Sequence, residues 1–483
     1  MAWAKDGGRV AVYHLIGIGG SGMSGLARLL LEAGHQVQGS DRKASPRLDT
    51  LRQLGARIFV GHAGPNLDGA ERVVVSTAIG PNNPELVEAR RRGLPVEHRA
   101  AVLAQVLAGR RLVAVSGTHG KTTTTAMAAW VLQEAGLEPG FAVGAEVAQL
   151  GGSARLGRGP VVAEVDESDG SFLRFHPEVA VVTNVEADHL EHYGSFDRIV
   201  AAFRRFVSQV RPGGLVITCG DDPTARALAQ EVPRAVTYGV ERQGDLWAEE
   251  ITLEAEGSRF LAVHREEGPL GLVTLGVPGR HNIANALAVI AVARFLELPF
   301  EAVARALATF RGAARRFETV AEVGGVRVID DYAHHPTEIR ATLAAARPPE
   351  GRLVVVFQPH RYTRTQRLAD AFAQAFRAAD LLFLTEIYAA DEAPIPGVTG
   401  EGLARLIQAH HPGPVIFEAE REDLVERLLE GLQPGDWLLT LGAGDVHTVG
   451  RAVAERLAAQ EAVQGDGGGV AAPHQTIGSR ADR

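Results

Sequence analysis

Residues 112–125 read LVAVSGTHGKTTTT, and they predict a strand, a glycine-containing turn and the start of a helix. The first four residues form an apolar run that is typical of a buried strand. Gly117 and Gly120 let backbone N–H groups approach an anion closely, and the helix N-terminus behind them favours negative charge. Lys121 can reach terminal phosphates, and Thr122 can offer its hydroxyl to Mg²⁺. The stretch predicts binding of a nucleoside triphosphate.

The spacing of this motif departs from the usual P-loop. Gly117 and Gly120 stand two residues closer together than the glycines of G-x-x-x-x-G-K-[ST]. A Gly-Lys-Thr turn can also simply begin a helix, but the order of strand, turn, Lys-Thr and helix favours phosphate binding. Composition points the same way, because lysine occurs only at positions 5, 43 and 121 while 46 of the 49 basic residues are arginine. The chain keeps lysine where a compact ammonium suits a phosphate.

A second glycine turn lies near the N-terminus. Residues 10–41 read as a strand, the turn Gly17-x-Gly19-x-x-Gly22, a helix and a second strand that ends in Asp41. This βαβ pattern is typical of a dinucleotide-binding fold and suggests NAD. The same turn and helix N-terminus would also suit a sugar nucleotide diphosphate, and a turn that serves only helix–strand packing remains an alternative.

Acidic residues and a histidine follow two predicted strands of the central region, PVVAEVDESDGSF (160–172) and VAVVTNVEADHLEHYGS (179–195). Parallel strands deliver functional groups at their carboxyl ends. Each acid alone could be a solvated loop charge, but a cluster beside a phosphate-binding turn favours a Mg²⁺ site, which needs hard oxygen ligands. The candidates are Glu164, Asp166, Glu167, Asp169, Asp188 and His189.

Two later stretches also carry candidate binding residues. In GRHNIANA (279–286), His281 or Asn282 could bind a ligand or merely cap the long alanine-rich helix that follows. Beyond a predicted hinge at 310–314, two strands end in polar side chains. These side chains are Asp330, Asp331, His334 and His335 on one strand and His360, Arg361 and Arg364 on the other. The two arginines at the end of the second strand could form an anion clamp, although an arginine-rich helix surface is the alternative.

Composition limits the class of protein. A length of 483 residues suggests about three domains, and a net charge of −9 without a basic block disfavours nucleic-acid binding. The single Cys219 excludes an intramolecular disulfide and is typical of a reducing compartment. There is no run of about 18 apolar residues and no signal-peptide core at the N-terminus, so we expect a cytoplasmic protein that does not insert into membranes.

The motifs together resemble those of the Mur ligases of peptidoglycan synthesis, over roughly residues 10 to 460. The motifs are GTHGKTTT (117–124), EVDESD (164–169), TNVEADHLEHYG (183–194), GRHNIANALA (279–288), Arg-Arg-Phe at 315–317 and DDYAHHPTE (330–338). The resemblance implies an α/β chain of three domains and an ATP-dependent ligase that acts through an acyl phosphate.

The implied domains divide the chain by substrate. Residues 1–108 would form a Rossmann-like domain for UDP-N-acetylmuramate, which displaces the NAD interpretation. Residues 109–312 would form a P-loop ATPase-like domain, and residues 313–463 a Rossmann-like domain for L-alanine. Residues 464–483 show no apolar periodicity and are predicted to be a disordered tail.

The resemblance also implies roles for individual residues. Those expected to contact ATP are Gly117, Thr118, His119, Gly120, Lys121, Thr122, Thr123, His281, Asn282, Asn285, Arg316 and Asp331. Those expected to contact the UDP-sugar are Gly17, Gly19, Gly20, Ser21, Gly22, Met23, Asp41 and Ser76. The implied Mg²⁺ site is Thr122, Glu164 and His189, and the implied clamp for alanine and phosphate is His334, His360, Arg361 and Arg364. The implied catalytic residues are Lys121, Glu164, His189, His360 and Arg364.

Several alternatives remain at this point. A related ligase of peptidoglycan recycling adds a whole tripeptide to the same sugar nucleotide, although HRYTRT (360–365) favours the alanine-adding type. A nucleotide-binding switch would leave the third domain unexplained, and an NAD-linked oxidoreductase would leave Lys121 unexplained. Some sister ligases bridge two Mg²⁺ ions with a carbamylated lysine, but the predicted helix at 198–210 contains no lysine. The sequence therefore excludes a carbamate there.

Overall fold

The computed structural model describes residues 10–241 and 244–466. The chain forms two compact units that divide between Arg316 and Phe317, and each has its own sheets and core. Both have the α/β architecture that the sequence predicts. Within the described residues, no helix is long and apolar enough to cross a bilayer.

The N-terminal part of the first unit is a five-stranded parallel sheet in the order β3-β2-β1-β4-β5. The strands are β1 Val12–Ile16, β2 Gln36–Asp41, β3 Arg57–Val60, β4 Arg72–Val75 and β5 Val96–His98. The helices are α1 Ser21–Glu32, α2 Pro46–Gln53, α3 Pro84–Arg91 and α4 Arg99–Val106, with a 3₁₀ turn at Gly64–Leu67. The strand order reverses between β1 and β4, which is where ligands bind in such sheets. The predicted glycine turn follows β1 at this switch point.

The central part of the first unit is a mixed ten-stranded sheet in the order β15-β14-β13-β12-β11-β10-β6-β9-β7-β8. The strands are β6 Leu112–Ser116, β7 Gly140–Val147, β8 Gly152–Arg155, β9 Val161–Glu164, β10 Val179–Val182, β11 Leu215–Cys219, β12 Ala235–Gly239, β13 Leu246–Leu253, β14 Ser258–His264 and β15 Gly268–Leu275. The helices are α5 Lys121–Glu134, α6 Leu190–Tyr193, α7 Phe196–Ser208, α8 Pro223–Ala229, α9 Arg280–Phe295 and α10 Phe300–Thr309, with 3₁₀ turns at Ala148–Leu150 and Ser171–Arg174.

The position of β6 in this sheet determines what surrounds the Lys121 turn. All five residues of β6 are buried, and the strand pairs in parallel with β10 on one side and β9 on the other. The segments that follow these two strands therefore reach the same edge of the sheet as the turn. They carry the two acidic stretches that the sequence singles out.

The second unit contains a six-stranded sheet in the order β16-β17-β21-β18-β19-β20. Its strands are β16 Glu318–Val323, β17 Val326–Asp331, β18 Leu353–Phe357, β19 Leu381–Leu384, β20 Val415–Phe417 and β21 Trp437–Leu441. Its helices are α11 Pro336–Ala345, α12 Tyr362–Arg367, α13 Ala369–Ala373, α14 Gly400–Gln408, α15 Arg421–Gly431 and α16 His447–Asp466. Only the β16–β17 pair is antiparallel.

The predicted three-domain α/β fold is confirmed, whereas the boundaries at 108/109 and 312/313 remain predictions. The predicted helix 198–210 begins earlier, at Phe196, and ends at Ser208. The predicted tail was placed slightly too early, because α16 continues to Asp466. The rest of the predicted tail, 467–483, lies outside the described residues.

Candidate functional site

The turn between β6 and α5 has a backbone that only glycine adopts without strain. Gly117 has φ of +132° and Gly120 has φ of +82°. A Cβ on Gly117 would lie 2.1 Å from Thr183 Oγ1, and one on Gly120 would lie 2.9 Å from Asn285 Oδ1. The turn thus combines left-handed backbone with close neighbours at both glycines. This compact, backbone-lined turn is suited to holding an anion.

Residues that directly follow β10 hold this turn in place. Asn184 accepts hydrogen bonds from the Thr118 N–H at its carbonyl (3.0 Å) and from the His119 N–H at its side chain (2.8 Å). The Thr183 hydroxyl donates to the His119 carbonyl (2.6 Å), and the Glu186 N–H donates to Thr118 Oγ1 (2.9 Å). Sequence reasoning missed this support. This support depends on the pairing of β10 with β6, which a single sequence does not reveal.

Lys121 lies at the start of α5 in a buried, strongly acidic setting. Its ammonium donates to the carbonyls of Gly117 (2.5 Å) and Thr118 (3.1 Å) and lies 2.9 Å from Glu167 Oε2. Burial lowers the pKa of Lys121, but the carboxylates of Glu167 and Asp166 outweigh this effect and raise it. Lys121 is therefore a fixed cation at the turn. Glu167 was one of the candidate acids from the sequence, but the residue roles implied by the resemblance did not include it.

Thr122 and Glu164 lie side by side, as a shared metal site requires. The Thr122 hydroxyl lies 3.0 Å from both carboxylate oxygens of Glu164. The Gly144 N–H also donates to this carboxylate (2.7 Å), which fixes its orientation. The Arg316 guanidinium reaches Thr122 Oγ1 at 3.3 Å, so a predicted ATP contact from far along the chain lies at the same place. Thr123 is in the first turn of α5.

His189 precedes α6 with a left-handed backbone, φ +53°. Its ring nitrogens lie 3.9 Å from Glu167, 3.6 Å from Asp188 and 3.6 Å from Glu191. Burial lowers the pKa of His189, but these three carboxylates together raise it by more, so the net shift of the pKa is upward. Glu164 and His189 both connect to the Lys121 turn, the first through Thr122 and the second through Glu167.

The start of α9 lies against the same turn. The Asn285 side chain faces Gly120, since its Oδ1 lies 2.9 Å from where a Cβ on Gly120 would be, and it donates to Asn282 Oδ1 (3.1 Å). Asn282 in turn donates to the Pro278 carbonyl (2.7 Å), and His281 is exposed beside it. The alternative that His281 or Asn282 caps the helix is wrong, because Gly279 is the N-cap and no side chain caps it.

The glycine turn of the N-terminal sheet is tied to the end of β2. The Gly17 N–H donates to the Ser40 carbonyl (2.8 Å), and the Gly19 N–H donates to Asp41 Oδ2 (2.9 Å). Gly20 is the N-cap of α1, which begins at Ser21, and no side chain caps this helix end. Asp41 thus supports the turn itself. The turn and the helix N-terminus together present backbone N–H groups at the switch point of the sheet.

Three further predicted contacts of this domain differ in their surroundings. Gly22 lies under Arg99, whose Nη1 would be 2.9 Å from an added Cβ. Ser76 follows β4, and its carbonyl accepts a hydrogen bond from Ile79. The Met23 side chain is packed in the core with 3% exposure, so it is not available to contact a ligand.

In the second unit, the predicted residues collect at the carboxyl edge of its sheet. Asp331 ends β17 and is buried, and it accepts hydrogen bonds from the Phe317 N–H (2.7 Å) and the Ala333 N–H (2.8 Å). His334 follows in the loop before α11, with its ring nitrogen 3.0 Å from the Tyr332 carbonyl. Asp331 therefore anchors the loop that presents His334.

His360 and Arg364 form a compact pair next to His334. Arg364 Nη1 lies 3.3 Å from His360 Nδ1, and the His360 ring stacks on Tyr388 at 5.6 Å. The His334 ring packs edge-on against His360 at 5.7 Å. Burial, with the neighbouring His334 and Arg364, lowers the pKa of His360 to about 3. His360 is thus neutral, and the arginine carries the charge of this cluster.

Arg361, the remaining member of the predicted clamp, has a different environment. Its backbone is left-handed, with φ of +68°, and its N–H donates to the Tyr388 carbonyl (2.8 Å). Its guanidinium points toward Glu392 at 3.9 Å. The structure therefore brings His334, His360 and Arg364 together and pairs Arg361 with an acid.

Comparison with known protein families matches nearly the whole chain. The family model described as "Mur ligase family, catalytic domain" matches residues 12–111. The model "Mur ligase middle domain" matches residues 115–293, and "Mur ligase, glutamate ligase domain" matches residues 315–444. The three matches follow the order of the three sheets.

Individual relatives cover similar lengths. The UDP-N-acetylmuramate–L-alanine ligase of Pelotomaculum thermopropionicum is 48% identical over 92% of this chain and 97% of its own. The ligase of the same name from Sorangium cellulosum is 50% identical over 95% and 98%. Among solved structures, the UDP-N-acetylmuramate–alanine ligase of Thermotoga maritima is 33% identical with a TM-score of 0.82, covering 94% of this chain and 100% of that one. The chain therefore belongs to the Mur ligase family.

Proposed function

We propose that this chain uses ATP to join L-alanine to the lactyl carboxylate of UDP-N-acetylmuramate, a step of peptidoglycan precursor synthesis. Relatives about half identical over more than nine-tenths of the chain carry that activity in their names. The structural observation that carries the proposal is the Lys121 turn, where a buried ammonium, a threonine hydroxyl and a carboxylate meet at one glycine-rich backbone. That set is suited to phosphoryl transfer.

The chemistry proceeds in two displacements. A lactyl carboxylate oxygen attacks the γ-phosphorus of ATP, the bond to the bridging oxygen breaks, and ADP leaves. The acyl phosphate that forms is then attacked at its carbonyl carbon by the amine of L-alanine. Phosphate leaves, the amine loses a proton, and an amide remains. Activation is needed because a free carboxylate is a poor electrophile, and the protein contributes position and charge stabilisation.

Lys121 has the central part in the first displacement. Its ammonium lies at the turn, against the backbone carbonyls of Gly117 and Thr118, and from there it would neutralise charge on the transferring phosphoryl group. Glu167 keeps the lysine charged and directed. Asn285 and Arg316 supply further polar contacts around the nucleotide.

A divalent cation fits the oxygen atoms at this turn. Thr122 Oγ1 and the Glu164 carboxylate are hard donors within 3.0 Å of each other, which suits Mg²⁺ rather than a soft metal. We propose Thr122 and Glu164 as its protein ligands, with His189 as a third candidate. Mg²⁺ would neutralise phosphate charge when bound. Glu164 is held for this purpose by the Gly144 N–H.

The sugar nucleotide and the amino acid use the other two sheets. We assign the diphosphate to the uncapped start of α1, which the Gly17–Gly22 turn positions at the switch point of the sheet. We assign the carboxylate of L-alanine to Arg364, with His360 and His334 beside it. A neutral His360 can accept or donate a hydrogen bond without adding charge. Arginine binds carboxylates in a two-pronged geometry, so Arg364 suits this role.

Phosphate release from ATP tests the proposal. We would measure it with UDP-N-acetylmuramate present and add L-alanine, glycine, L-serine or the tripeptide in turn. Release that requires both the sugar nucleotide and L-alanine is the expected result. Release with the tripeptide alone would instead make the chain a recycling ligase. A solved structure from Psychrobacter arcticus, at 27% identity and TM-score 0.69, is named a murein peptide ligase. No release with any acceptor would refute the proposal.

A further inference from the structure

A fully buried carboxylate lies inside the N-terminal sheet domain, and the function proposed above gives it no role. Glu85 is in the first turn of α3, and its exposure is 0%. Four groups lie within hydrogen-bond distance of its two oxygens: Ser40 Oγ at 2.5 Å, Asn66 Nδ2 at 2.6 Å, His14 Nε2 at 3.2 Å and the Ala63 backbone N at 3.3 Å. A charge at such depth is retained only when it is well satisfied.

The carboxylate of Glu85 is ionised. Burial raises its pKa, but the hydrogen bonds from His14, Ser40 and Asn66 outweigh burial and lower the pKa to about 2. Replacing a buried polar network by apolar side chains is often neutral or stabilising, so stability alone is a weak reason for such a group. Its place in the fold indicates a more specific role.

Ser40 connects Glu85 to the glycine turn. The Ser40 hydroxyl donates to Glu85, while the Ser40 backbone carbonyl accepts hydrogen bonds from Gly17 N (2.8 Å) and Ile18 N (3.0 Å). The next residue, Asp41, accepts from the N–H of Gly19. The end of β2 therefore holds the backbone of the turn, and Glu85 adds a side-chain hydrogen bond to the end of β2 besides its pairing with β1 and β3.

Glu85 also holds the segments on either side of the turn. His62, just after β3, lies 2.9 Å from Ser40 Oγ and 3.4 Å from Glu85. On the other side, the loop from β4 to α3 carries Ile79, whose Cδ1 would lie 3.2 Å from a Cβ on Gly17. One carboxylate thus joins the ends of β2 and β3 to the helix that follows β4.

We propose that Glu85 is a positioning residue for sugar-nucleotide binding, acting through Ser40 on the Gly17–Gly19 turn. It holds the turn, and with it the start of α1 whose first N–H groups receive the diphosphate, and it touches no substrate itself. The inference rests on the function proposed above, because it concerns the UDP-N-acetylmuramate site of the same reaction.

The test compares Glu85→Gln with a matched control, Glu88→Gln. Both residues lie on α3, but Glu88 is paired at the surface with Arg91 and Arg92. Binding of UDP-N-acetylmuramate alone would be measured by calorimetry, and KM and kcat by phosphate release. Glutamine places an amide N–H₂ where two donors converge, which costs about as much as a lost buried hydrogen bond. We expect Kd and KM for the sugar nucleotide to rise about tenfold in Glu85→Gln.

A purely structural role would lower stability without this selectivity. In Glu85→Gln we expect kcat and KM for ATP within about twofold of wild type, and no change in Glu88→Gln. Ser40→Ala should weaken sugar-nucleotide binding as well. The double variant Ser40→Ala/Glu85→Gln should bind the sugar nucleotide no more weakly than the single variant with the lower affinity, because the two residues act in series.

The outcomes separate this inference from the proposed function. Wild-type protein that does not bind UDP-N-acetylmuramate would refute the proposed function. Wild-type binding with unchanged affinity in both Glu85→Gln and Ser40→Ala would refute the positioning role alone. If Glu85→Gln does not fold, Ser40→Ala decides the matter, since it removes one hydroxyl at a buried site. Independent, additive effects of the two substitutions would also contradict action through Ser40.

Discussion

Replacing Lys121 with methionine separates its contribution to catalysis from its contribution to stability. The Lys121 ammonium lies 2.9 Å from Glu167, and the two side chains are 14% and 3% exposed. Removing one partner of a buried pair costs about 3–5 kcal/mol, because the other charge stays in a low-dielectric interior. We expect Lys121→Met to lower the free energy of unfolding by about 3 kcal/mol at neutral pH and to abolish turnover. Sugar-nucleotide binding should persist.

The loss of stability should depend on pH in a defined direction. Burial raises the pKa of Glu167 above its ordinary value of 4.5, and Lys121 opposes this rise. Without Lys121, the folded state favours protonated Glu167, so the destabilisation is smallest below pH 4.5 and grows as pH rises through the raised pKa. In the double variant Lys121→Met/Glu167→Gln, neither side chain of the pair is charged, so no unpaired charge is left in the interior. This variant should regain part of the stability and none of the activity.

Urea unfolding followed by circular dichroism at several pH values, together with phosphate release, tests this reasoning. A double variant no more stable than Lys121→Met would refute the account of the buried pair. Wild-type turnover in Lys121→Met would refute the assignment of the turn to phosphoryl transfer.

Three further predictions follow from the geometry of the sites. Gly120→Ala should raise KM for ATP about tenfold, because left-handed backbone costs about 1–2 kcal/mol and the added Cβ would meet Asn285 Oδ1 at 2.9 Å. Gly136→Ala is the control, because Gly136 has φ of +77° but open space around it. Equal effects of the two substitutions on KM for ATP would contradict this prediction. Arg364→Ala should raise KM for L-alanine at least about tenfold with little change in KM for ATP. A larger rise in KM for ATP than for L-alanine would contradict the assignment of the alanine carboxylate to Arg364. His360, with a pKa of about 3, should show no titration between about pH 5 and 8 by NMR, whereas a midpoint near 6.5 would contradict its burial.

Much of the fold and several site residues could be predicted because their signals are local. The Lys121 turn and the Gly17 turn each follow an apolar strand and precede a helix, and glycine is required where the backbone is left-handed, as at Gly120. Strand ends also predict where polar groups emerge. Thr122 and Glu164 could therefore be expected near one another, and they lie 3.0 Å apart.

Other features depend on which strands are neighbours, and no local pattern encodes this. Asn184 supports the Lys121 turn only because β10 lies next to β6. Glu167 was one acid among several until its distance to Lys121 distinguished it. Glu85 reads as an ordinary surface acid at a helix start, yet the packing of α3 buries it beneath the glycine turn.

The sequence by itself therefore determined the order of domains, the two glycine turns and the residue types of the candidate site, since backbone conformation and strand ends are local properties. Only the tertiary structure decided which charges are paired, which side chains are buried and which segments hold each turn. Hydrogen bonds and ion pairs form between atoms a few ångströms apart, and residues more than forty positions apart, such as Ser40 and Glu85, meet only when the sheet is assembled.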